Sequence, residues 1–109
     1  MGEPDFSDVK SLGAARHLEN EGKLVKALLF PSELGGSENP HNEVYITPEA
    51  ADARQLIVGT LVRFVEEGLI DKMTVEPAYK GDSFVPARIV FHASHSQKAG
   101  RVERVIEVW

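Results

Sequence analysis

The stretch TPEAADARQLIVGTLVRFVEEG, Thr47 to Gly68, decides the fold class. Thr47 is a good N-cap, Pro48 suits the first helical position, and Gly68 is placed to end a helix. Between them apolar residues recur at three- and four-residue spacing, which is typical of a helix with one buried side. The buried side is expected to hold Ala50, Ala53, Ile57, Leu61, Phe64 and Val65, and the exposed side Asp52, Gln55, Arg63 and Glu66. We therefore predict a long amphipathic helix over about residues 48–67.

After this helix the hydrophobic period changes from that of a helix to that of a strand. Apolar and polar residues alternate over about 72–79, 84–94 and 101–109, as in strands with one buried face. The short, turn-rich connections between them predict a three-stranded antiparallel meander whose apolar face packs on the helix. Because proline cannot donate to a sheet, Pro77 and Pro86 predict edge positions or bulges.

Before the helix, two short strands are predicted on either side of a Gly-Gly corner. The apolar run KLVKALLF, 23–30, is bounded by glycine and proline, and EVYIT, 43–47, is rich in β-branched and aromatic residues. Upstream of these strands, residues 7–22 are compatible with a short helix capped by Ser7. The expected architecture is one α+β domain over 1–109, with 1–22 as a loosely attached segment.

Length and composition limit the possible functions. The chain has 109 residues, which suits a single hydrophobic core, and no cysteine, which excludes disulfides, a thiol nucleophile and thiolate zinc sites. Its first residues, MGEPDFSDVK, lack the basic and apolar regions of a signal peptide. No apolar run approaches the roughly 18 residues of a membrane span. We therefore expect a cytoplasmic protein without a membrane association.

The charge is acidic and unevenly distributed. The formal net charge is -5, and residues 1–50 contain 9 Asp and Glu against 4 Lys and Arg. Residues 72–109 reverse the balance, with 6 basic against 4 acidic side chains. The chain contains no cluster of basic residues with interleaved aromatics, which nucleic-acid binding proteins use to contact phosphates. A nucleic-acid partner is disfavoured, whereas a basic protein partner would be complementary in charge.

The order of the motifs resembles a known family. A strand, a Leu-Gly-Gly corner, an asparagine, a second strand and a long helix are followed by MTVEPAYKGDSFVPARIVFHA. This order is similar to the C-terminal portion of the DNA/RNA non-specific endonucleases, β-β-α-metal nucleases common as bacterial toxin domains. The resemblance covers about residues 24–93. Its matching residues are Leu34, Gly35, Gly36 and Ser37 in the corner, Asn42 after it, and Val75, Pro77, Tyr79, Gly81, Val85 and Pro86 after the helix.

What the resemblance implies about mechanism depends on a single missing residue. In these nucleases a histidine takes a proton from water, and one Mg²⁺ ion, held by the asparagine, stabilises charge on the phosphate. The resemblance places that histidine at Leu28, which cannot accept a proton, and Lys26 and Ala27 also depart from the family pattern. It therefore implies a nuclease-like scaffold that has lost its general base and has kept Asn42 as a candidate metal ligand.

Two interpretations follow. The first is a non-catalytic binding or regulatory protein without a cofactor, such as an immunity-type protein paired with a toxin. Its partner would be a basic protein, or a second copy bound through the last strand, RVERVIEVW. The alternative is an Mg²⁺-dependent DNA/RNA endonuclease in which His41, beside Asn42, replaces the lost base. The spacing of His92 and His95 places them on opposite faces of a strand, which makes a poor metal chelate.

Overall fold

The computed structural model describes residues 5–109, and its architecture confirms the predicted α+β class. The described part contains helices α1 (Leu12–Asn20) and α2 (Pro48–Glu66) and strands β1 (Val25–Leu28), β2 (Glu43–Ile46), β3 (Lys72–Tyr79), β4 (Pro86–Ser94) and β5 (Arg101–Glu107). Strands β1 and β2 form an antiparallel pair, and the other three form a separate antiparallel meander in the order β3-β4-β5. The predicted meander is therefore present, and the two short strands predicted around the corner pair with each other. The predicted strand 23–30 is shorter at both ends, and the strand predicted over 43–47 ends before Thr47.

Helix α2 begins where the sequence predicts. The side chain of Thr47 accepts a hydrogen bond from the N–H of Ala50 at 3.2 Å, and Pro48 occupies the first helical position. The predicted buried side of the helix is wrong at two residues. Arg54, which was not assigned to it, is buried, and Val65, which was assigned to it, is 45% exposed. Val65 lies in the last turn of the helix, beside an open groove. Among the described residues, no helix is long and apolar enough to cross a membrane.

The meander covers the core with one face. Its inward side chains include Ala87, Ile89, Phe91, Ala93 and Ile106, all of which are buried. Strand β3 has the predicted bounds, whereas β4 begins two residues later than predicted and β5 ends two residues earlier. Pro77 lies on the edge strand β3. Pro86 is the first residue of β4, opposite a register shift between Ala78 and Tyr79. The two prolines therefore occupy an edge and an irregularity, as predicted.

The N-terminal segment is packed on the domain from Phe6 onward, not loosely attached. Phe6, Val9 and Ala15 are buried members of the core, and the hydroxyl of Ser83 donates to the carbonyl of Phe6 at 2.7 Å. Helix α1 is capped by Ser11, whose hydroxyl accepts from the N–H of residue 14, and not by Ser7 as predicted. Residues 1–4 of the predicted segment lie outside the described residues.

Trp109 is a packing residue at the same end of the domain. Its ring lies edge-on to Phe6, with the centroids 5.9 Å apart, and its indole N–H donates to the carbonyl of Val85 at 3.0 Å. The ammonium of Lys80 lies 4.6 Å from the ring centroid, within range of a cation–π interaction. Trp109 therefore joins the N-terminal segment to the start of β4.

Candidate functional site

The Gly-Gly corner lies in the connection between β1 and β2. This connection follows the last pair of the two-stranded sheet, in which Leu28 lies opposite Glu43. Gly35 has a φ of 104°, a left-handed conformation that side chains rarely adopt. A Cβ atom on Gly36 would lie 1.9 Å from the carbonyl oxygen of Phe30, which is part of the backbone and cannot move aside. Each glycine of the corner is therefore required by its local geometry, independently of any chemistry.

Asn42 holds the two sides of the corner together. Its Oδ1 accepts from the N–H of Phe30 at 2.7 Å, and its Nδ2 donates to the carbonyls of Phe30 at 3.0 Å and Ser37 at 2.9 Å. Its own carbonyl accepts from the N–H of Leu29 at 2.7 Å. A carboxamide has two donor hydrogens and one acceptor oxygen, so all three of these groups are engaged. The side chain thus acts as a clamp on the backbone.

His41 is exposed, and its contact within the corner is made by its backbone. Its N–H donates to the side chain of Asn39 at 3.0 Å, which caps a short turn at Pro40–Asn42. The carboxamide of Asn42 is bonded to Phe30, so the two neighbours in sequence are not assembled around a common metal position. Within residues 5–109, no group of three or more His, Asp or Glu side chains could hold a metal ion.

Leu28, where the resemblance to the endonucleases would place a histidine, lines a shallow depression of about 180 Å³. The other lining residues are Lys26, Ala27, Glu38 and Glu43. Lys26 and Glu43 form an ion pair, with Nζ and Oε2 3.7 Å apart. Two carboxylates and one ammonium therefore surround Leu28, and this excess of negative charge disfavours a phosphodiester ligand.

Arg54 is the residue near the corner that the sequence pattern did not identify. The residue is 9% exposed, and its guanidinium donates to the carbonyl of Leu28. Burial lowers the pKa of Arg54 from its ordinary value, and the charge of Glu33 opposes this shift. Arg54 falls in line with Ala50 and Val58 at helical spacing, and a charged residue on an otherwise apolar stripe was the signal that could have revealed it.

A groove of about 340 Å³ with several apolar lining residues lies near the corner. It lies between the turn Ser32–Leu34, the last turn of α2 and the start of β3. The floor is formed by Leu34, Val65, Ile70 and Met73, and the charged lining residues are Glu33, Asp71 and Lys72. Three separate segments of the chain supply these residues, so no local sequence motif predicted the groove.

Asp71 lies at one side of the groove, where Ser96 hydrogen-bonds its carboxylate. Its carboxylate accepts from the N–H of Ser96 at 2.8 Å and from the Ser96 hydroxyl at 2.6 Å. These hydrogen bonds lower the pKa of Asp71 from its ordinary value. His95 Nε2 lies 3.8 Å from the same carboxylate, while its Nδ1 accepts from the N–H of Gln97. Because the serine hydroxyl donates to the carboxylate and not to the imidazole, the three side chains do not form a catalytic triad.

His92 lies on the outer face of the meander, apart from His95. Its Nδ1 is 3.2 Å from a carboxylate oxygen of Glu103 on β5, and its Nε2 is 3.9 Å from Glu76 on β3. The two ring nitrogens therefore face carboxylates on opposite sides, and the two histidines contact different acids.

Comparison with known proteins leaves the fold without an assigned relative. No protein-family model, curated protein or solved structure matches the chain. The resemblance to the endonucleases therefore rests only on the matched residues of the corner and of the strands that follow the long helix.

Proposed function

We propose that the chain is a non-catalytic binding protein with a basic protein as its partner. The observation that supports this most directly is the engagement of the Asn42 carboxamide with Phe30 and Ser37. Its Oδ1 already accepts from the N–H of Phe30, so a metal ion could use only the second lone pair, in the orientation that the corner imposes. With leucine at position 28, the corner lacks both a general base and a freely available metal ligand on this side.

Electrostatics also favour a basic partner over a nucleic acid. The depression beside Leu28 contains Glu38 and Glu43, and the whole chain has a formal net charge of -5. A phosphodiester would be repelled by such a surface, whereas a protein rich in Lys and Arg would be attracted to it. An immunity-type protein that neutralises a basic toxin is one concrete form of this function.

The groove offers the contact surface for such a partner. Its apolar floor would accept an aliphatic side chain, and the carboxylates of Glu33 and Asp71 would pair with an adjacent Lys or Arg. Hydrogen bonds from Ser96 lower the pKa of Asp71 from its ordinary value, which already lies far below physiological pH, so this carboxylate is charged there. The partner segment that fits this surface is therefore apolar and basic.

Defined peptides test the proposed contact. Isothermal titration with a short Leu/Lys/Arg peptide and with its Leu/Glu counterpart should show binding of the basic peptide alone. Glu33→Gln should weaken this binding about threefold or more, since it removes one charge at the groove. Glu49→Gln, in the exposed first turn of α2, removes an equal charge at the opposite end of the helix and serves as the matched control. Equal binding of both peptides, or no effect specific to Glu33, would contradict the proposal.

The alternative endonuclease is tested separately. Plasmid DNA and RNA are incubated with the protein and Mg²⁺ or Mn²⁺, and the wild type is compared with His41→Ala. Asn42→Ala is a poor probe because it also removes the clamp of the corner. Metal-dependent cleavage that His41→Ala abolishes, without a change in melting temperature, would establish the nuclease and refute a non-catalytic role.

A further inference from the structure

The two edges of the meander differ in the backbone groups that they expose. The N–H of Val108 donates to the carbonyl of Ala87 at 2.8 Å, in line with the register that pairs Arg88 with Glu107. Hydrogen-bonded pairs alternate along an antiparallel ladder. The even-numbered residues of β5 therefore bond to β4. The odd-numbered residues, Arg101, Glu103, Val105 and Glu107, direct their N–H and C=O groups toward the free edge.

The opposite edge is interrupted. The same alternation directs the even-numbered residues of β4 toward β3, so the odd-numbered residues of β3 face the other free edge. Pro77 is one of these residues, and it has no N–H to offer a further strand. Strand β5 contains no proline, so its outward series of donors and acceptors is continuous. Of the two edges, only that of β5 can accept another strand along its whole length.

The side chains of β5 select a second copy of the same strand as the added partner. When two copies run antiparallel about a two-fold axis at Arg104, Arg101 of each lies opposite Glu107 of the other. The smallest slip that keeps outward groups opposite each other shifts the pairing by two residues. In one direction it places Glu103 opposite its own copy, and in the other it places Glu103 opposite Glu107, so both slips oppose like charges.

The selected register has one unfavourable feature. Arg104 lies opposite its own copy, and its guanidinium, which now donates to the carbonyl of Glu103 at 3.0 Å, must release that outward carbonyl. The side chain is exposed and long, so the two guanidinium groups can diverge into solvent. The two Arg101–Glu107 pairs and a continuous ladder of backbone hydrogen bonds oppose this cost.

We infer that the chain forms a two-fold dimer through β5, in which two meanders join into one continuous six-stranded sheet. The partner on this edge is a second copy of the chain, and the register is the one that pairs Arg101 with Glu107. The dimer also covers part of Val105, which is 42% exposed in the single chain. This inference is independent of the proposed basic partner, whose groove lies at the start of β3.

A single substitution tests the edge without disturbing the fold. Sedimentation equilibrium of the wild type should give twice the chain mass of 12.0 kDa. Val105→Pro removes an outward N–H that no strand within the chain uses, so it should yield a folded monomer with an unchanged circular dichroism spectrum. Val105→Thr keeps the N–H and the β-branched shape and should remain dimeric. A monomeric wild type at millimolar concentration, or a dimeric Val105→Pro protein, would overturn the inference.

Charge reversal tests the register. Arg101→Glu and Glu107→Arg should each weaken self-association about tenfold, since each creates two pairs of like charge across the edge. An equimolar mixture of these two variants should form a heterodimer, because both pairs between positions 101 and 107 then join one Arg to one Glu. Glu107→Arg also removes the exposed Arg88–Glu107 ion pair, so melting curves should accompany it. A mixture that associates no better than the separate variants would exclude this register.

Discussion

The guanidinium of Arg54 binds the carbonyl oxygen of Leu28 twice, from Nε at 3.1 Å and from Nη2 at 2.7 Å. This contact joins the middle of α2 to the last residue of β1 across 26 positions of sequence. It fixes the backbone at Leu28, the position at which the resemblance to the endonucleases places their catalytic histidine. A buried charged residue near the corner thus connects helix α2 to the end of strand β1.

We first predict that Arg54→Met destabilises the protein by about 1–3 kcal/mol, because it leaves the Leu28 carbonyl without its partner in a half-buried site. Arg54→Lys should recover only part of this loss, since an ammonium cannot reproduce the two bonds of the planar guanidinium. Urea denaturation measures both effects. Arg63→Met, on the exposed side of the same helix, should change the free energy of unfolding by less than about 0.5 kcal/mol. Equal effects at the two arginines would contradict the role of Arg54.

Asn42 provides the second prediction. Asn42→Asp should be more destabilising than Asn42→Ala at neutral pH, because the carboxylate would face the carbonyl oxygens of Phe30 and Ser37 that Nδ2 now binds. We expect a loss of about 1–3 kcal/mol for the alanine variant and a larger one for the aspartate variant, both by urea denaturation. His41→Ala, at the exposed neighbouring position, is the control and should be nearly neutral. A metal-ligand role alone would predict little loss of stability from either change at Asn42.

The two glycines of the corner should differ in their tolerance of a methyl group. Gly36→Ala places Cβ against the Phe30 carbonyl and should cost more than about 2 kcal/mol, because backbone must move. Gly35→Ala meets no atom within 4 Å and is limited by its left-handed conformation, so a cost of about 1–2 kcal/mol is expected. Thermal unfolding of the two variants checks the order. A larger loss of stability for Gly35→Ala than for Gly36→Ala would contradict this order. It would mean that the left-handed backbone conformation, and not the close approach of the Phe30 carbonyl, decides where the corner needs glycine.

Asp71 should make stability depend on pH in the acid range. Hydrogen bonds from Ser96 lower the pKa of the folded carboxyl below that of the unfolded chain. The resulting stabilisation is therefore present above the unfolded pKa, about 3.9, and is lost as the pH falls through the folded pKa. Asp71→Asn should melt at a lower temperature than the wild type at neutral pH.

The same gap in melting temperature should close as the pH falls through the folded pKa of Asp71, where the wild-type carboxyl becomes protonated. Ser96→Ala, which removes the hydroxyl donor but keeps the carboxyl, is the matched variant and should show a gap of the same sign at neutral pH. A gap that persists unchanged into acid would show that the aspartate acts through packing and not through its charge.

Local sequence patterns predicted the elements with strong periodicity. Helix α2 and strand β3 have the expected bounds because their caps and alternation act over neighbouring residues. The pattern was less reliable at the N-terminus, where Ser11 caps α1 although Ser7 was expected. Both serines have the chemistry of a cap, and in the structure Phe6 and Val9 are buried in the core ahead of the helix that Ser11 caps.

By itself, the sequence determined the α+β class, the long helix, the meander and the glycine corner, because turn chemistry and hydrophobic period are local properties. Only the tertiary structure decided what the corner does. The bonds from Asn42 to Phe30 and from Arg54 to Leu28 connect residues 12 and 26 positions apart, and no periodic signal encodes them. The groove and the open edge of β5 likewise exist only once separate segments meet, since burial and free hydrogen-bonding groups are properties of the folded chain.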